Sequence, residues 1–528
     1  MGQAGPAPAG IVTAPPPSGD PTGVTDTAHL QAALNALSPG QCLAFPGSGY
    51  VVNQPLRIPD ATGLTGPVAS RPGKPRAAPV PPAATIMAAA GANLPAVLTD
   101  TVYPATGASP VPSSSIMIRG VIIDGNAANQ TGGTGHGIAL LTRASAVEDC
   151  TVQNTRGSGI VLADQNAGGN STAVGSQVEN GIFRCNVYKP GAGHGIWVQR
   201  HVNTLTDGYL TECIVDCYFT GNAIGVQMDN MAGWRVFRNH VYACQGHAYV
   251  FNHCSNAWIV DNFADNFGQA SAPDVTYCGY QIQLAPYGRT TVRGNKTNCR
   301  EKGRGGDGAG TFVHYSVTAE GTGRTNEVTF SDNAVHQASA TSATSTAYRF
   351  ASGGGLLAVQ QFGGVSLSAA TTSPYPVLSG TVTFPGSYLG ATRYAPANPA
   401  STTSQSPAFV MAGLALAITP QVTGKLKILI SGGAGTPAAA ANVAVQGRFG
   451  TGAPPSSGGL PAGTAFGQTQ TVRALAAATS WNCTFTVADI ISGLTPGTAY
   501  WVDLAFSTSA SADPAQIGAI TAVIEEVC

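Results

Sequence analysis

Between residues 115 and 335 one phrase of apolar and polar positions recurs. A short apolar strand leads to a charged residue, then to Cys or Asn, then to a second apolar strand. It reads Val147-Glu148-Asp149-Cys150-Thr151-Val152, then Ile182-Phe183-Arg184-Cys185-Asn186-Val187, then Leu210-Thr211-Glu212-Cys213-Ile214-Val215. Asn takes over the Cys position in Val236-Phe237-Arg238-Asn239-His240-Val241, and Asn262, Asn295 and Asn333 continue it. A looser first copy is Met117-Ile118-Arg119-Gly120-Val121-Ile122. The copies are unevenly spaced, by 23 to 38 residues. Such spacing fits a solenoid whose coil has a minimal circumference and whose excess residues leave as loops. The flanking apolar residues then face inward, and the Cys/Asn column lies inside a bend. There Asn bonds backbone and its neighbours one coil away, while Cys fills the same space as a small hydrophobe.

The residue before each ladder position forms a second column: Arg119, Asp149, Arg184, Glu212, Arg238 and Asp261, then Gly294 and Asp332. The first six alternate in sign. In parallel in-register strands opposite charges would pair from coil to coil, which predicts a structural stripe rather than catalytic carboxylates.

A third phrase marks another strand of each coil, in Gly137–Leu141, Gly159–Ala163, Gly195–Gln199, Ala223–Gln227, Ala248–Asn252 and Gly279–Gln283. Its outward positions change from Ala139, Leu141 and Ala163 to Trp197, Gln199, Gln227, Asn252, Gln281 and Gln283. This predicts one outer face with a task.

At the N-terminal end, Leu30, Ala33, Leu34 and Leu37 fall at helical spacing, which predicts a helix over Thr27–Leu37 capped by Thr25 or Asp26. Gln41–Val52 reads as a strand pair around a turn. Such a helix would cover the open end of the stack. Ala369–Pro407 is rich in Ala, Ser, Thr and Pro and reads as a connector. Short strands return at Leu414–Ile418, Lys425–Ile430, Val443–Phe449, Cys483–Val487, Tyr500–Phe506 and Ala519–Ile524. The resulting division is residues 1–52 for the arm, capping helix and first strands, 53–370 for a parallel β-helix, 371–407 for a connector and 408–528 for an antiparallel β-sandwich. The fold class is all-β, with the right-handed parallel β-helix first.

Composition agrees and excludes other classes. Of 528 residues, 10% are charged and 43% hydrophobic, with 67 Gly, so many short strands and tight turns are expected rather than disorder. A net charge of −1 with no Lys/Arg run gives no footprint for nucleic acid. No apolar stretch is long enough to span a bilayer. The eleven Cys lack paired metal-ligand spacing, so no metal and no cofactor is expected. The first residues lack a secretory pattern, so synthesis in a cytoplasm without a signal peptide is expected.

The run Asp20–Val52 resembles the opening of pectate-lyase-like right-handed β-helix proteins, including bacteriophage tailspikes and polysaccharide depolymerases; with the ladder the resemblance covers roughly residues 18–370. Gly450–Pro455 followed by Gly493–Leu504 also resembles C-terminal sandwich domains of phage tail and receptor-binding proteins. The resemblance implies a homotrimer on a virion, other tail proteins as partners, and recognition of a bacterial surface polysaccharide. Its Gly193-His194-Gly195 echoes a polygalacturonase motif, but Gly135-His136-Gly137 repeats it, and the Asn-Thr-Asp, Asp-Asp and Arg-Ile-Lys signatures are missing. His136, His194 and His247 share one position in three coils, which predicts a turn role.

The face beside Trp197 is the candidate groove. A sugar site needs an aromatic plate, amides for hydroxyls and charged groups at the scissile bond. Trp197, Gln199, Gln227, Asn252, His253 and Gln283 are the candidate binding residues, and Asp164, Asp229, Arg200 and His201 the candidate catalytic ones. Asp164 and Asp229, two coils apart, would stand roughly 10 Å from each other, near the separation of an inverting glycosidase. Against this, Asp at strand ends commonly forms turns. Arg200, His201 and Asp229 could instead serve an elimination, and the carboxylates around Glu301–Asp307 and Glu320–Glu327 could build a site between subunits. The leading expectation is a tailspike that binds and cleaves a surface glycan by hydrolysis. The rivals are a non-catalytic virion spike and a bacterial carbohydrate-active enzyme.

Overall fold

The computed structural model describes residues 10–67, 84–107, 110–171, 178–188, 190–200, 206–217, 224–270, 275–286, 288–299, 310–321, 325–337, 344–363, 366–367, 377–383, 391–394, 396–405, 408–420, 422–436, 441–474, 483–510 and 514–527. Two compact units emerge: residues 1–359 with 364–383, and residues 360–363 with 384–528.

The first unit is a right-handed parallel β-helix. Each coil contributes one strand to each of three faces, called A, B and C in chain order. Face A runs from Ile11–Thr13 through Ala146–Glu148 and Arg235–Phe237 to Thr325–Ser331. Face B runs from Gly49–Val52 to Ser366–Leu367 in an 11-stranded sheet. Face C runs from Leu56–Ile58 through Ile196–Val198 and Val226–Asp229 to Val377–Thr383. Every strand pairs in parallel with its counterpart one coil away, as in Ile160↔Ile196↔Val226 on face C. Side-chain alternation then sends one set of residues inward, where Val147, Ile182, Leu210, Val236 and Ile259 are buried.

The ladder lies at the bend between faces A and B. Asn262 Oδ1 accepts from both Asn239 N and Nδ2, Asn295 Oδ1 from both Asn262 N and Nδ2, and Asn333 Oδ1 from both Asn295 N and Nδ2, at 2.9–3.1 Å. Each amide also donates to a carbonyl one coil back, Asn239 to Leu210, Asn262 to Val236 and Asn295 to Ile259. The Cys side chains do the same with sulfur: Cys150 reaches Ile118 O, Cys185 Val147 O and Cys213 Ile182 O. All three are free thiols in the core.

The preceding column is charged for a conformational reason as well as an electrostatic one. Asp149, Arg184, Glu212, Arg238, Asp261 and Asp332 all have φ between 51° and 57°. Gly120 (φ 69°) and Gly294 (φ 65°) hold the same left-handed position. Glycine enters this region without steric penalty, so the two breaks in the stripe satisfy the turn rather than the charge pattern. The register Arg119↔Glu148 also corrects the first copy by one: Gly120, not Arg119, belongs to the column, and Val121 is its ladder residue. The charges still pair along the axis. Arg184 bonds Asp149 at 2.7 Å and holds its carboxyl below the usual range, Arg119 approaches Asp149 at 3.4 Å, and Arg238 approaches Glu212 at 3.0 Å.

On face C the innermost column changes from Ile138, Ile160, Ile196 and Val226 to Tyr249, Tyr280, Tyr315 and Tyr348. Successive rings stack with centroids 4.8, 5.0 and 5.6 Å apart. Each hydroxyl donates to a backbone carbonyl near the opposite bend, which satisfies its polar end inside the core.

The N-terminal helix spans Val24–Asn35, not Thr27–Leu37. Its start is set by Gly23 in a left-handed conformation and by Asp20, whose carboxylate accepts from Thr22 N and Thr25 N. Asp26, expected as a cap, sits inside the first turn and ties Ser18 N and Val51 N together. Cys42–Ala44 and Gly49–Val52 turn out to belong to different faces. They follow each other around a corner, and Cys42–Ala44 pairs in parallel with Ile11–Thr13. Among the described residues no helix is long and apolar enough to cross a membrane.

The second unit packs two antiparallel sheets. One is ordered Ala391–Tyr394, Gln516–Glu526, Leu426–Gly435, Cys483–Ile491; the other joins Val410–Met411 and Leu416–Ile418 to Tyr500–Thr508, Ala441–Thr451 and Thr464–Ala474. Ile428, Ile430, Val443, Val445, Phe485, Val502, Leu504, Phe506 and Ile524 fill the space between them. Ala391–Tyr394 falls inside the expected connector yet pairs with Gln516–Glu526, and Thr464–Ala474 is a strand that the sequence reading did not include.

Candidate functional site

Two outward columns cross face C. The first runs Ala139, Val161, Trp197, Gln227, Val250, Gln281, Ser316, Arg349. The second, two residues on in each strand, includes Asp229, Asn252, Gln283 and Thr318. The early members are covered. A segment beginning at Asp100 lays Tyr103 over Ala139, Leu141, Val161 and Ala163, and Trp197 packs against the edge of this apolar cluster.

That cover is pinned by one buried carboxyl. Asp100 accepts from the backbone N–H groups of Val102, Tyr103 and Leu141. Burial pushes its carboxyl up to about 7, against the opposing pull of those three donors. Asn166 and Asn170 clasp the same segment by donating to Gly107 O and Thr106 O. The apolar start of face C is thus a wall, and the polar floor begins at Trp197.

Asp229 is the focus of that floor. Its Oδ2 accepts from Trp197 Nε1 at 3.2 Å, its Oδ1 from Asn252 Nδ2 at 2.7 Å, and both oxygens from Gln227 Nε2 at 3.2 and 3.3 Å. All four side chains are half-buried, as expected of a recessed strip. The sequence-predicted Trp197, Gln227, Asp229 and Asn252 therefore converge on one carboxylate. Trp197, Gln227 and Asn252 thus all present N–H donors to this one side chain. His194 stands edge-on to the Trp197 indole, centroids 4.7 Å apart, and burial lowers its imidazole to about 4.

Immediately beyond Asn252 the register breaks. Phe251 pairs with Ile282 and Cys254 with Leu284, so Asn252 and His253 together oppose Gln283. His253 is the bulged residue, at φ 56°. Bulges re-aim side chains, and left-handed non-glycine residues carry a cost that the surroundings must hold in place. Here the re-aimed imidazole meets Glu320, Nδ1 to Oε2 2.7 Å, from a coil two further on. The Cys254 thiol, in the core beneath, is pushed well up, first by burial and then by the charges of Glu320 and Asp229.

Other candidates fall elsewhere. The register Leu162↔Val198↔Met228 puts Ala163, Gln199 and Asp229 in one column and Asp164, Arg200 and Asn230 in the next. Asp164 is therefore not the partner of Asp229: successive residues point to opposite faces, and Asp164 is fully buried. Arg200 is buried in the same column, where burial lowers its guanidinium and the charge of Asp164 partly opposes that. Gln199 and Gln283 lie on the strip, half-buried. His201 lies outside the described residues, as do residues 301–309. His136 and His247 take the turn role, each accepting a backbone N–H from the next coil, from Ser158 and Cys278.

No protein-family model matches the chain, and no curated protein matches it. Among solved structures it is similar to a mannuronan C-5 epimerase A-module from Azotobacter vinelandii, at 13% identity over 69% of this chain and 96% of that one, TM-score 0.37. A surface adhesin of Streptococcus pneumoniae matches at 11% identity over 69% and 87%, TM-score 0.40. A tailspike of Acinetobacter baumannii bacteriophage Fri1, described as a capsular polysaccharide depolymerase, matches at 10% over 92% and 79%, TM-score 0.31. The parallel β-helix is established by this chain's own strand pairing. At these scores the likeness adds nothing to what the coil register already establishes.

Proposed function

We propose that the protein binds a bacterial surface polysaccharide along the polar strip of face C and cleaves it there, as the tailspike or receptor-binding protein of a bacteriophage. The observation that carries this reading is the convergence of Trp197, Gln227 and Asn252 on Asp229. An aromatic plate, amides and a carboxylate on adjacent coils form the equipment of a glycan site. The coil repeat of about 4.8 Å is also close to the length of one sugar unit, so a chain lying along the axis meets one coil per residue. Hydrolysis is favoured over elimination, because Asp229 places negative charge where an oxocarbenium-like centre is stabilised and a uronate carboxylate is repelled. In this reading the C-terminal sandwich serves trimerisation or further glycan contact.

Incubation with a panel of purified capsular polysaccharides and O-antigens tests the proposal. New reducing ends without unsaturated uronate products are expected. Unsaturated products would reassign the chemistry to a lyase, and tight binding with every glycan left intact would make the protein an adhesin or spike.

A further inference from the structure

We infer that His253 is a catalytic residue, the proton-transferring group of this site, and that Glu320 is its positioning residue. The inference rests on the proposed cleavage and deepens it.

Three observations converge. His253 occupies the extra position of a bulge in a face otherwise paired residue for residue around it, and it does so at φ 56°. The bulge lies next to Asn252, which donates to Asp229. The imidazole is 40% exposed and meets Glu320 at 2.7 Å, across 67 residues of sequence. Glu320 is itself held at a strand end, where its backbone N–H donates to Leu284 O. A surface turn would not need the distant carboxylate. A His whose Nδ1 is engaged by a carboxylate has a set ring orientation and tautomer, and it keeps Nε2 for a substrate.

The second requirement is chemical. Asp229 is engaged by three N–H donors and Asp164 is buried away from the strip, so the expected pair of carboxyls does not stand together here, and proton transfer is assigned to His253. In hydrolysis the His253 imidazolium gives its Nε2 proton to the glycosidic oxygen. The bond from that oxygen to the anomeric carbon breaks, and the electron pair leaves with the oxygen. Asp229 stabilises the resulting cationic centre. Water then adds to the anomeric carbon and returns one proton to Nε2, which restores the imidazolium. One water is consumed, two hydroxyl ends are formed, and no other reactant is needed.

The test uses the full chain and whichever polysaccharide of the panel the wild type cleaves, with reducing ends counted and affinity measured separately. His253→Ala is expected to lower kcat by about 10²–10³ with KM within about threefold, and added imidazole is expected to restore part of the lost rate. Glu320→Gln is expected to lower kcat about tenfold, with Glu320→Asp in between. An H253A protein that cleaves at the wild-type rate while Asp229→Asn is inactive overturns the role of His253 and leaves the site standing. So does an H253A protein that imidazole does not rescue and that has lost its glycan affinity. A wild type that binds but cleaves nothing overturns both readings.

Discussion

The indole Nε1 of Trp197 donates to Oδ2 of Asp229, 3.2 Å away and one coil further along face C. The ring that would carry a sugar is thereby oriented by the carboxylate that would act on it. Trp197 lies where the apolar wall around Tyr103 ends, so the same residue marks the start of the polar strip.

Asp229→Asn should therefore separate binding from turnover. The amide keeps one acceptor oxygen but loses the charge. Cleavage should fall by about 10²–10³-fold, the usual effect of removing one electrostatic stabiliser, while affinity by calorimetry and the unfolding midpoint change little. Unchanged turnover would remove Asp229 from the site.

Trp197→Ala should act in the opposite sense, raising KM more than it lowers kcat. It removes an aromatic surface and also opens the edge of the cluster formed by Ala139, Val161 and Tyr103. Trp197→Phe keeps the plate and drops only the N–H donor, so it should retain most of the affinity. Binding isotherms of the two variants check this.

Asn295→Ala should be among the most destabilising single changes in the β-helix. Its Oδ1 accepts two bonds from Asn262, and its Nδ2 donates to Ile259 O and Asn333 Oδ1. Several buried partners lose their mates at once, at about 1–3 kcal/mol for each left unsatisfied. Cys185→Ala leaves a small void and one orphaned carbonyl, so it should cost less. Chemical denaturation of both variants would show the order, and equal losses would contradict the ladder's role.

His136 and burial give a pH signature. Its pKa is lowered to about 4 by burial, and its Nδ1 accepts from Ser158 N, which requires the neutral ring. The unfolded chain takes up this proton near pH 6.5 and the folded chain near 4, so stability is full above 6.5 and falls as pH drops through that window. His136→Asn should flatten this part of the profile relative to wild type. Parallel curves for the two proteins would exclude it.

Much of the scaffold was legible because its coil register leaves a chemical trace. Cys150, Cys185, Cys213, Asn239, Asn262, Asn295 and Asn333 are the residues that can donate to a buried carbonyl from inside a bend. The first copy slipped by one because Gly120 meets the backbone requirement of that column without carrying a charge. The helix start was misread since Asp20, not Asp26, does the capping. At the site, Trp197, Gln227, Asp229 and Asn252 were visible as outward positions of a strand. Asp164 was misassigned because strand ends do not announce parity. The segment that lays Tyr103 over the early coils, the bulge at His253 and the reach of Glu320 depend on contacts between residues far apart in sequence, and no local pattern records them.

The asparagine ladder also has a direction. Each carboxamide oxygen receives from the coil before it, so Asn333 closes the chain of bonds for Asn295, and nothing in the pattern is symmetric under reversal. The stack is a polar filament in miniature, with a donating end and an accepting end. Trimming a coil from one end and from the other are therefore different operations: loss of the Asn333 coil strands the N–H groups of Asn295. New coils can be spliced between existing ones only as head-to-tail units, whereas loops can be exchanged freely. Such a scaffold lets binding surfaces diverge while its spine is copied unchanged.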